Sequence, residues 1–456
     1  MKNIIKIVLV VFMYTVSLQA VEKIDLQTSR QLAIAHNQQI KIAEENRLST
    51  KLSKRAAFTQ FLPRVDFLGN YTYSKKKITY ETPQLTIPIQ DMSTGVPSPS
   101  PYYLFMPSQT IELGQDNKYV LGLSITQPIF TGGKIVQQYN ISRYMDNIAR
   151  HETNMKKEEI LIKVDELFWT YVSMTEKVNL AQEYKEMVNK HLEDLENYHE
   201  VGIITKNDVL KAKVEFSNAE LQLLRAQNGQ ELSRLALCQL TGLNANEEIE
   251  PQYNLNELTI FDDLDSNVTL ALQKRTEIDI LENLVDVNKS IVKLNFSRYM
   301  PNLLLQADYI NMRPNPYNSL EDEFGSDWFI GLTCQFDIFN WNERGFRYRA
   351  AKHRQTASEL KLDEAKELIL LEINKSLFKL NESSKRVQLS NTNLEQAEEN
   401  LRVTKDNFSE GMVGSTEVID AQTLWQSAFS ENIDAKVEYK INKSKALKAL
   451  GNILDQ

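Results

Sequence analysis

Leu121-Gly122-Leu123-Ser124-Ile125-Thr126-Gln127-Pro128-Ile129-Phe130-Thr131-Gly132-Gly133 is a strand that runs into the start of a helix. Leu121, Leu123 and Ile125 alternate with Gly122, Ser124 and Thr126, the period of a strand with one apolar face. Thr131-Gly132-Gly133 stops that period, and a 3.6-residue period follows from Gly133 to about Glu200. Pro128-Ile129-Phe130 has a counterpart in Asp337-Ile338-Phe339, 209 residues on. The same offset pairs Val201-Gly202-Ile203-Ile204 with Glu410-Gly411-Met412-Val413, Asp208-Val209-Leu210 with Glu417-Val418-Ile419, Ala212 with Ala421, and Gly242 with Gly451. Upstream, an offset of 238 pairs Leu32 with Leu270, Ile40 with Ile278, and Leu62-Pro63 with Met300-Pro301. The chain therefore holds two copies of one unit, and the extra residues of the first copy lie between Pro63 and Pro128.

Each unit opens with a helix, Leu26 to about Phe61 or Thr269 to about Tyr299, ended by Pro63 or Pro301. A β-hairpin follows, 63–130 or 301–339, and then a long helical hairpin, 133–242 or 342–451. The organisation expected is a signal peptide over 1–20, a first repeat over 21–242, a connecting segment over 243–268, a second repeat over 269–451 and a tail over 452–456. In the hairpins, Val65, Phe67, Tyr71 and Tyr73 alternate with Asp66, Asn70, Thr72 and Ser74, and Leu305, Ala307 and Tyr309 with Gln306 and Asp308. Ile330, Leu332, Phe336 and Ile338 alternate with Gly331, Thr333, Gln335 and Asp337. Four strands of about ten residues suit a tilted crossing of a bilayer, and Tyr71, Tyr73, Tyr119 and Trp328 supply interfacial aromatics. Lipid tolerates no open sheet edge, and four strands are too few to close a barrel. Two chains would give eight strands and a filled interior, three would give twelve and a passage.

Composition narrows the function. Lys+Arg 52 against Asp+Glu 61 leaves a net charge of −9, which argues against a nucleic-acid partner. Gly 15 and Pro 12 are scarce for 456 residues, as expected of long uninterrupted helices. Lys2 and Lys6, the apolar stretch Ile7 to Met13 and the small residue Ala20 read as a secretory signal peptide. The residues after Glu22 read as helix. Beyond residue 20 no apolar run is long enough for a membrane-spanning helix. Cys238 and Cys334 stand far apart and form no disulfide or zinc pattern. The five His show no metal-ligand spacing and no nucleophile turn occurs, so neither a catalytic constellation nor a cofactor is implied. Thr131-Gly132-Gly133-Lys134 lacks the spacing of a phosphate loop; Thr131 reads instead as an N-cap.

Along the second helices a seam recurs at alternating spacings of three and four, Val209, Ala212, Phe216, Ala219 in one and Val418, Ala421, Trp425, Ala428 in the other. Large residues alternating with Ala let paired helices approach closely. Residues Thr82 to Pro107, rich in Pro, Ser and Tyr, read as an exposed loop, as does Arg313 to Asp327, while Asn244 to Asp265 reads as acidic and irregular.

The order of signal peptide, helix, β-hairpin and long helical hairpin, duplicated, with Gln127 to Gly133 at the strand-to-helix switch, resembles the TolC-like outer-membrane efflux proteins. So do Val201-Gly202-Ile203-Ile204-Thr205-Lys206-Asn207-Asp208-Val209-Leu210 and Gly411-Met412-Val413-Gly414-Ser415-Thr416-Glu417-Val418-Ile419-Asp420-Ala421. The resemblance implies a mainly α fold with membrane β-strands. A homotrimer would share a twelve-stranded transmembrane barrel and a trimeric α-barrel in the outer membrane of a Gram-negative bacterium, with a long periplasmic portion. It implies a passive exit duct of a tripartite efflux or type I secretion system, opened at its periplasmic tip by an adaptor and an inner-membrane pump. Gly202, Asp208 and Gly411 would fall at the tip and adaptor contact, Glu417 and Asp420 at the pore aperture, and Thr131, Gly132 and Gly133 at the switch. Two departures are visible: Val413 stands where a basic latch residue is found in the family, and Phe339-Asn340-Trp341-Asn342 lacks the Thr-Gly-Gly of the first half. Without the resemblance, two acids three apart on a helix are ordinarily a solvated face, and the competing reading is a secreted or periplasmic coiled-coil scaffold without a pore.

Overall fold

A computed structural model describes residues 22–75, 78–88, 103–113, 115–256, 268–317 and 322–455. The expected signal peptide, 89–102 of the first loop, 257–267 of the connecting segment, 318–321 of the second loop and residue 456 lie outside the described residues. In chain order the first repeat contains β1 (Glu22–Ile24), α1 (Leu26–His36), α2 (Gln38–Thr59), β2 (Arg64–Tyr73), β3 (Ile78–Glu81), β4 (Leu85–Pro88), β5 (Tyr103–Met106), β6 (Thr110–Leu113) and β7 (Asn117–Phe130). It continues with α3 (Lys134–Glu200) and α4 (Lys206–Thr241). Then come β8 (Ile249–Pro251), α5 (Val268–Lys274), α6 (Thr276–Phe296), β9 (Asn302–Arg313), β10 (Gly325–Gln335), α7 (Glu343–Ser409) and α8 (Ser415–Ala449). Helices α3 and α7 each hold 67 residues, about 100 Å at 1.5 Å per residue. The chain divides into two compact units, one of residues 1–51, 143–287 and 356–456, the other of 52–142 and 288–355.

The second unit is built on a four-stranded sheet in the order β10-β9-β7-β2, antiparallel at every pair. Its register sets Phe67, Leu123, Tyr309 and Trp328 in one row, and Val65, Ile125, Ala307 and Ile330 in another on the same face. Asp66, Ser124 and Asp308, and next to them Thr126, Gln306 and Gly331, fall on the opposite face. Alternation along each strand thus makes one face of the sheet apolar and gathers the polar residues on the other, together with Leu68, Leu304, Ile310 and Phe329. The register shifts between Pro128 and Phe130, where proline has no N–H to give the ladder. The four expected strands form this sheet, and two short ribbons occur in addition to them. Flanking the segment read as loop, β3 pairs β6, and within it β4 pairs β5, setting Leu85 against Met106 and Ile87 against Leu104. Its Pro and Ser content masked a period of two only four residues long.

The first unit is helical, and three expectations change there. The first helix is not continuous to Phe61: it breaks at Asn37, whose ψ of 127° is extended. The corresponding helix of the second repeat breaks before Thr276 and ends at Phe296 in a short 3-10 turn. Both breaks serve one purpose. Asn37 Nδ2 donates to Leu240 O at 3.2 Å, and Arg275 Nη1 donates to Ala449 O at 3.1 Å. Each acceptor is one of the last carbonyls of α4 or α8, which have no partner within the helix. The third change is that Glu22–Ile24 is a strand, paired in parallel with Ile249–Pro251. Three residues are too few to show a period, so the sequence read them as helix and irregular chain.

Helix seams form as spaced: Val209, Ala212 and Ala219 are buried in α4, and Val418, Ala421 and Trp425 in α8. Beneath α1, the guanidinium of Arg30 meets the carboxylate of Asp165 in a two-pronged pair, Nε to Oδ1 at 2.8 Å and Nη2 to Oδ2 at 2.6 Å, with Asp165 fully buried. Removing one member leaves a buried charge alone, whereas replacing both by apolar residues removes the penalty with the pair. Asp165→Ala is expected to destabilise the protein by about 3–5 kcal/mol, and the Arg30→Met/Asp165→Leu double variant to recover most of that. Denaturant unfolding followed by circular dichroism checks both.

Candidate functional site

The turns between the long helices follow one plan twice. Gly202 sits at φ 80° and Gly411 at φ 75°, the left-handed conformation glycine adopts at no steric cost. Gly202 N–H donates to His199 O and Ile203 N–H to Tyr198 O, each at 2.9 Å. In the second hairpin Gly411 N–H donates to Phe408 O at 3.0 Å and Met412 N–H to Asn407 O at 2.9 Å. Both helices therefore end in the same six-to-one and five-to-two pair of bonds that uses up their last carbonyls.

Past the turn the two copies diverge. Thr205 precedes α4, and Asp208 Oδ2 accepts from Thr205 Oγ1 at 2.7 Å and from Thr205 N–H at 3.3 Å. Asp208 is thereby held within its own hairpin as part of a helix cap. The matching positions in the second copy are Gly414 and Glu417. Gly414 has no side chain to offer, and Glu417 folds back over it: a Cβ built at Gly414 would lie 3.1 Å from Glu417 Oε2. Glu417 and Asp420 are both exposed on the first turns of α8, and among the described residues neither carboxylate has a hydrogen bond or ion pair.

What fixes the start of α8 is a residue the sequence reading passed over. His191, buried in α3, places Nε2 3.1 Å from Oγ of Ser415, the first residue of α8, and stacks edge-on against Phe408 at 5.2 Å. Lys211 Nζ of α4 reaches Thr416 Oγ1 at 3.3 Å. Burial lowers the pKa of His191 from 6.5, against the opposing pull of Asp194. Lys405 on α7 is lowered too, by burial first and then by Lys190. The signal for it in the sequence is a polar residue on the apolar stripe of α3, since His191 has no metal-ligand spacing.

At the strand-to-helix switch Gly132 (φ 61°) and Gly133 (φ 85°) are consecutive left-handed residues. Their counterparts Trp341 (φ 52°) and Asn342 (φ 60°) adopt the same conformation without glycine. Gly132 is also demanded by packing, since a Cβ there would lie 2.5 Å from Met300 Cβ and 2.7 Å from Ser297 O. Thr131 is not the N-cap expected of it. Helix α3 begins at Lys134, and the two left-handed glycines carry Thr131 away from the cap position. Its carbonyl accepts from Lys134 N–H at 3.0 Å, and its hydroxyl lies a long 3.5 Å from Ile135 N.

The sequence model of the outer membrane efflux protein family matches residues 30–243 and 267–452. The chain belongs to that family. The efflux protein is 22% identical over 338 residues to the alkaline protease secretion protein AprF of Pseudomonas aeruginosa, covering 71% of this chain and 67% of that one. It is 26% identical over 309 residues to the cobalt-zinc-cadmium resistance protein CzcC of Cupriavidus metallidurans, covering 66% and 70%. In fold it is similar to the Campylobacter jejuni CmeC outer membrane channel, with a TM-score of 0.78 and 16% identity over 94% of this chain and 86% of the other. The efflux protein is thus an outer-membrane exit duct, and the pore-less scaffold is set aside.

Two measurements probe the tips. Among the described residues beyond the chain neighbours, no atom lies within 4 Å of a Cβ built at Gly202 or Gly411, whereas one at Gly242 would meet His36 Cβ at 2.6 Å. Gly202→Ala and Gly411→Ala should each cost only the left-handed strain of about 1–2 kcal/mol, and Gly242→Ala clearly more, as read from thermal unfolding. Because the folded state lowers the pKa of His191, it binds fewer protons there than the unfolded state, and stability falls as pH drops below about 6.5. His191→Gln should flatten that part of a stability-against-pH profile.

Proposed function

We propose that three copies of the efflux protein join edge to edge in the outer membrane and form a duct through which solutes pass passively, while an inner-membrane pump supplies energy through a periplasmic adaptor. The observation carrying this reading is the sheet. It is apolar on one face, gathers its polar residues on the other, and ends in two strands, β2 of 10 residues and β10 of 11, each with one side unpaired in the sheet order. In hydrocarbon every unpaired backbone group costs several kcal/mol, so both edges need partners. Pairing β2 of one copy with β10 of the next supplies them, and three copies give twelve strands around a bore lined by the polar face. The names of relatives span protease secretion and metal resistance, which fits a conduit whose cargo is chosen by its pump.

The aperture is assigned to Glu417 and Asp420, with Gly202, Asp208 and Gly411 shaping the tip and adaptor contact. Support comes from the contrast at the turns: Asp208 is occupied by Thr205, while Glu417 and Asp420 are exposed and, among the described residues, unengaged. Three copies would bring six such carboxylates around one opening, where they attract cations. The mass of the protein in detergent should correspond to three chains. In planar bilayers Glu417→Ala/Asp420→Ala should raise conductance and weaken block by divalent cations; a monomer in detergent would refute the shared barrel, and unchanged conductance and block would refute the aperture.

A further inference from the structure

The second unit contains a polar pocket of about 480 Å³ where strands give way to helices, lined among others by Lys134, Arg298, Asn302, Gln335, Asp337 and Arg344. Three cations converge there from three elements: Lys134 opens α3, Arg298 lies in the turn after α6, and Arg344 is in the first turn of α7. Arg344 is fixed in place, donating to Asp337 O at 2.9 Å and lying over the Tyr299 ring at 5.2 Å. Lys134 and Arg298 are exposed, and among the described residues neither has an ion pair or side-chain hydrogen bond. Two acids also line the pocket, Asp337 and Glu343, and Glu343 is already paired with Arg347.

Which side the pocket opens on follows from register. Asn302 and Gln335 pair with each other, and by alternation they share a face with Gln306, Asp308 and Gly331. That is the polar face, which lines the bore in the trimeric reading, on which this inference rests. The exposed apolar residues of the same junction, Ile338, Phe339 and Trp341, are 72–87% accessible and absent from the pocket lining, as expected if they face lipid.

We infer that Lys134, Arg298 and Arg344 form a transit site for small polyanions, solutes bearing phosphate or several carboxylates, at the junction between barrel and helices. The Lys134 and Arg298 side chains, without partners among the described residues, beside the backbone-anchored guanidinium of Arg344, fit such groups through charge-assisted hydrogen bonds. Three copies would set nine cations around one bore, a ring of the kind that favours anions. Because each copy also carries Asp337, the site would hold anions weakly and release them, as conduction requires.

The test uses citrate and inorganic pyrophosphate. Calorimetry on the purified protein in detergent should detect binding of both, and Lys134→Gln/Arg298→Gln should weaken it about tenfold or more, the equivalent of one lost charge-assisted hydrogen bond. Lys134→Arg/Arg298→Lys, which keeps the charge, should retain binding. In bilayers the same anions should slow current through the unaltered protein and do so less in the Gln variant. No binding to the unaltered protein, or equal binding by the Gln variant, overturns the site. Loss in the Gln variant of co-purified anionic phospholipid, with citrate binding unchanged, overturns it in favour of a lipid headgroup. Binding without any conductance would keep the site and refute the duct, so the two readings fail separately.

Discussion

Backbone N–H and C=O groups that meet hydrocarbon must be bonded to something, and the sheet of this chain leaves two rows of them open, along β2 and β10. Neither row can be satisfied within the chain without the opposite edge folding round to meet it, and four strands are too few to curl that far. In the proposed assembly that shortage is what makes a single copy insufficient. The amphipathic register then does the rest: with one face of every strand apolar, closing the edges sends Phe67, Leu123, Tyr309 and Trp328 to lipid and Asp66, Ser124 and Asp308 to the bore together. No strand can slip by one residue without inverting its faces.

Duplication explains the helical part in the same terms. At two junctions the copies share geometry without sharing residues. Asn37 and Arg275 differ in chemistry, yet each donates to a final carbonyl, of Leu240 or Ala449. Gly132-Gly133 and Trp341-Asn342 differ still more, yet both pairs are left-handed. Asn tolerates that conformation better than most residues, while a tryptophan there is unusual, so the second switch stores strain the first does not.

Much of this was legible beforehand because it is periodic. The sheet, the long helices, their seams and the glycine turns all announce themselves through spacings of two, of three and four, or of 209 residues. Features that repeat too few times were not legible: the three-residue strand Glu22–Ile24, the four-residue ribbons at Leu85–Pro88 and Tyr103–Met106, and the single-residue break at Asn37. Nor was Thr131, because a local cap rule cannot foresee two left-handed residues inserted before the helix. At the candidate site the acids could be placed on a helix from spacing, but not their state of engagement, which depends on whether a neighbouring position carries a hydroxyl.

That last difference bears on why the proposed aperture lies in the second repeat. Asp208 and Glu417 occupy equivalent positions, and both follow a left-handed glycine turn. Thr205 engages the first carboxylate at both its N–H and its hydroxyl, so Asp208 stabilises its own helix start. Gly414 withdraws the hydroxyl from the second, and the longer Glu417 folds over it instead. Helix α8 has lost an internal cap, and its first residue is held from outside by His191 of α3. A helix start secured by a bond to a neighbour, rather than by its own cap, can be released when the neighbour moves. Under the proposed aperture, the glycine that leaves Glu417 without a hydroxyl partner would also make the helix carrying it responsive to displacement of the adjacent hairpin.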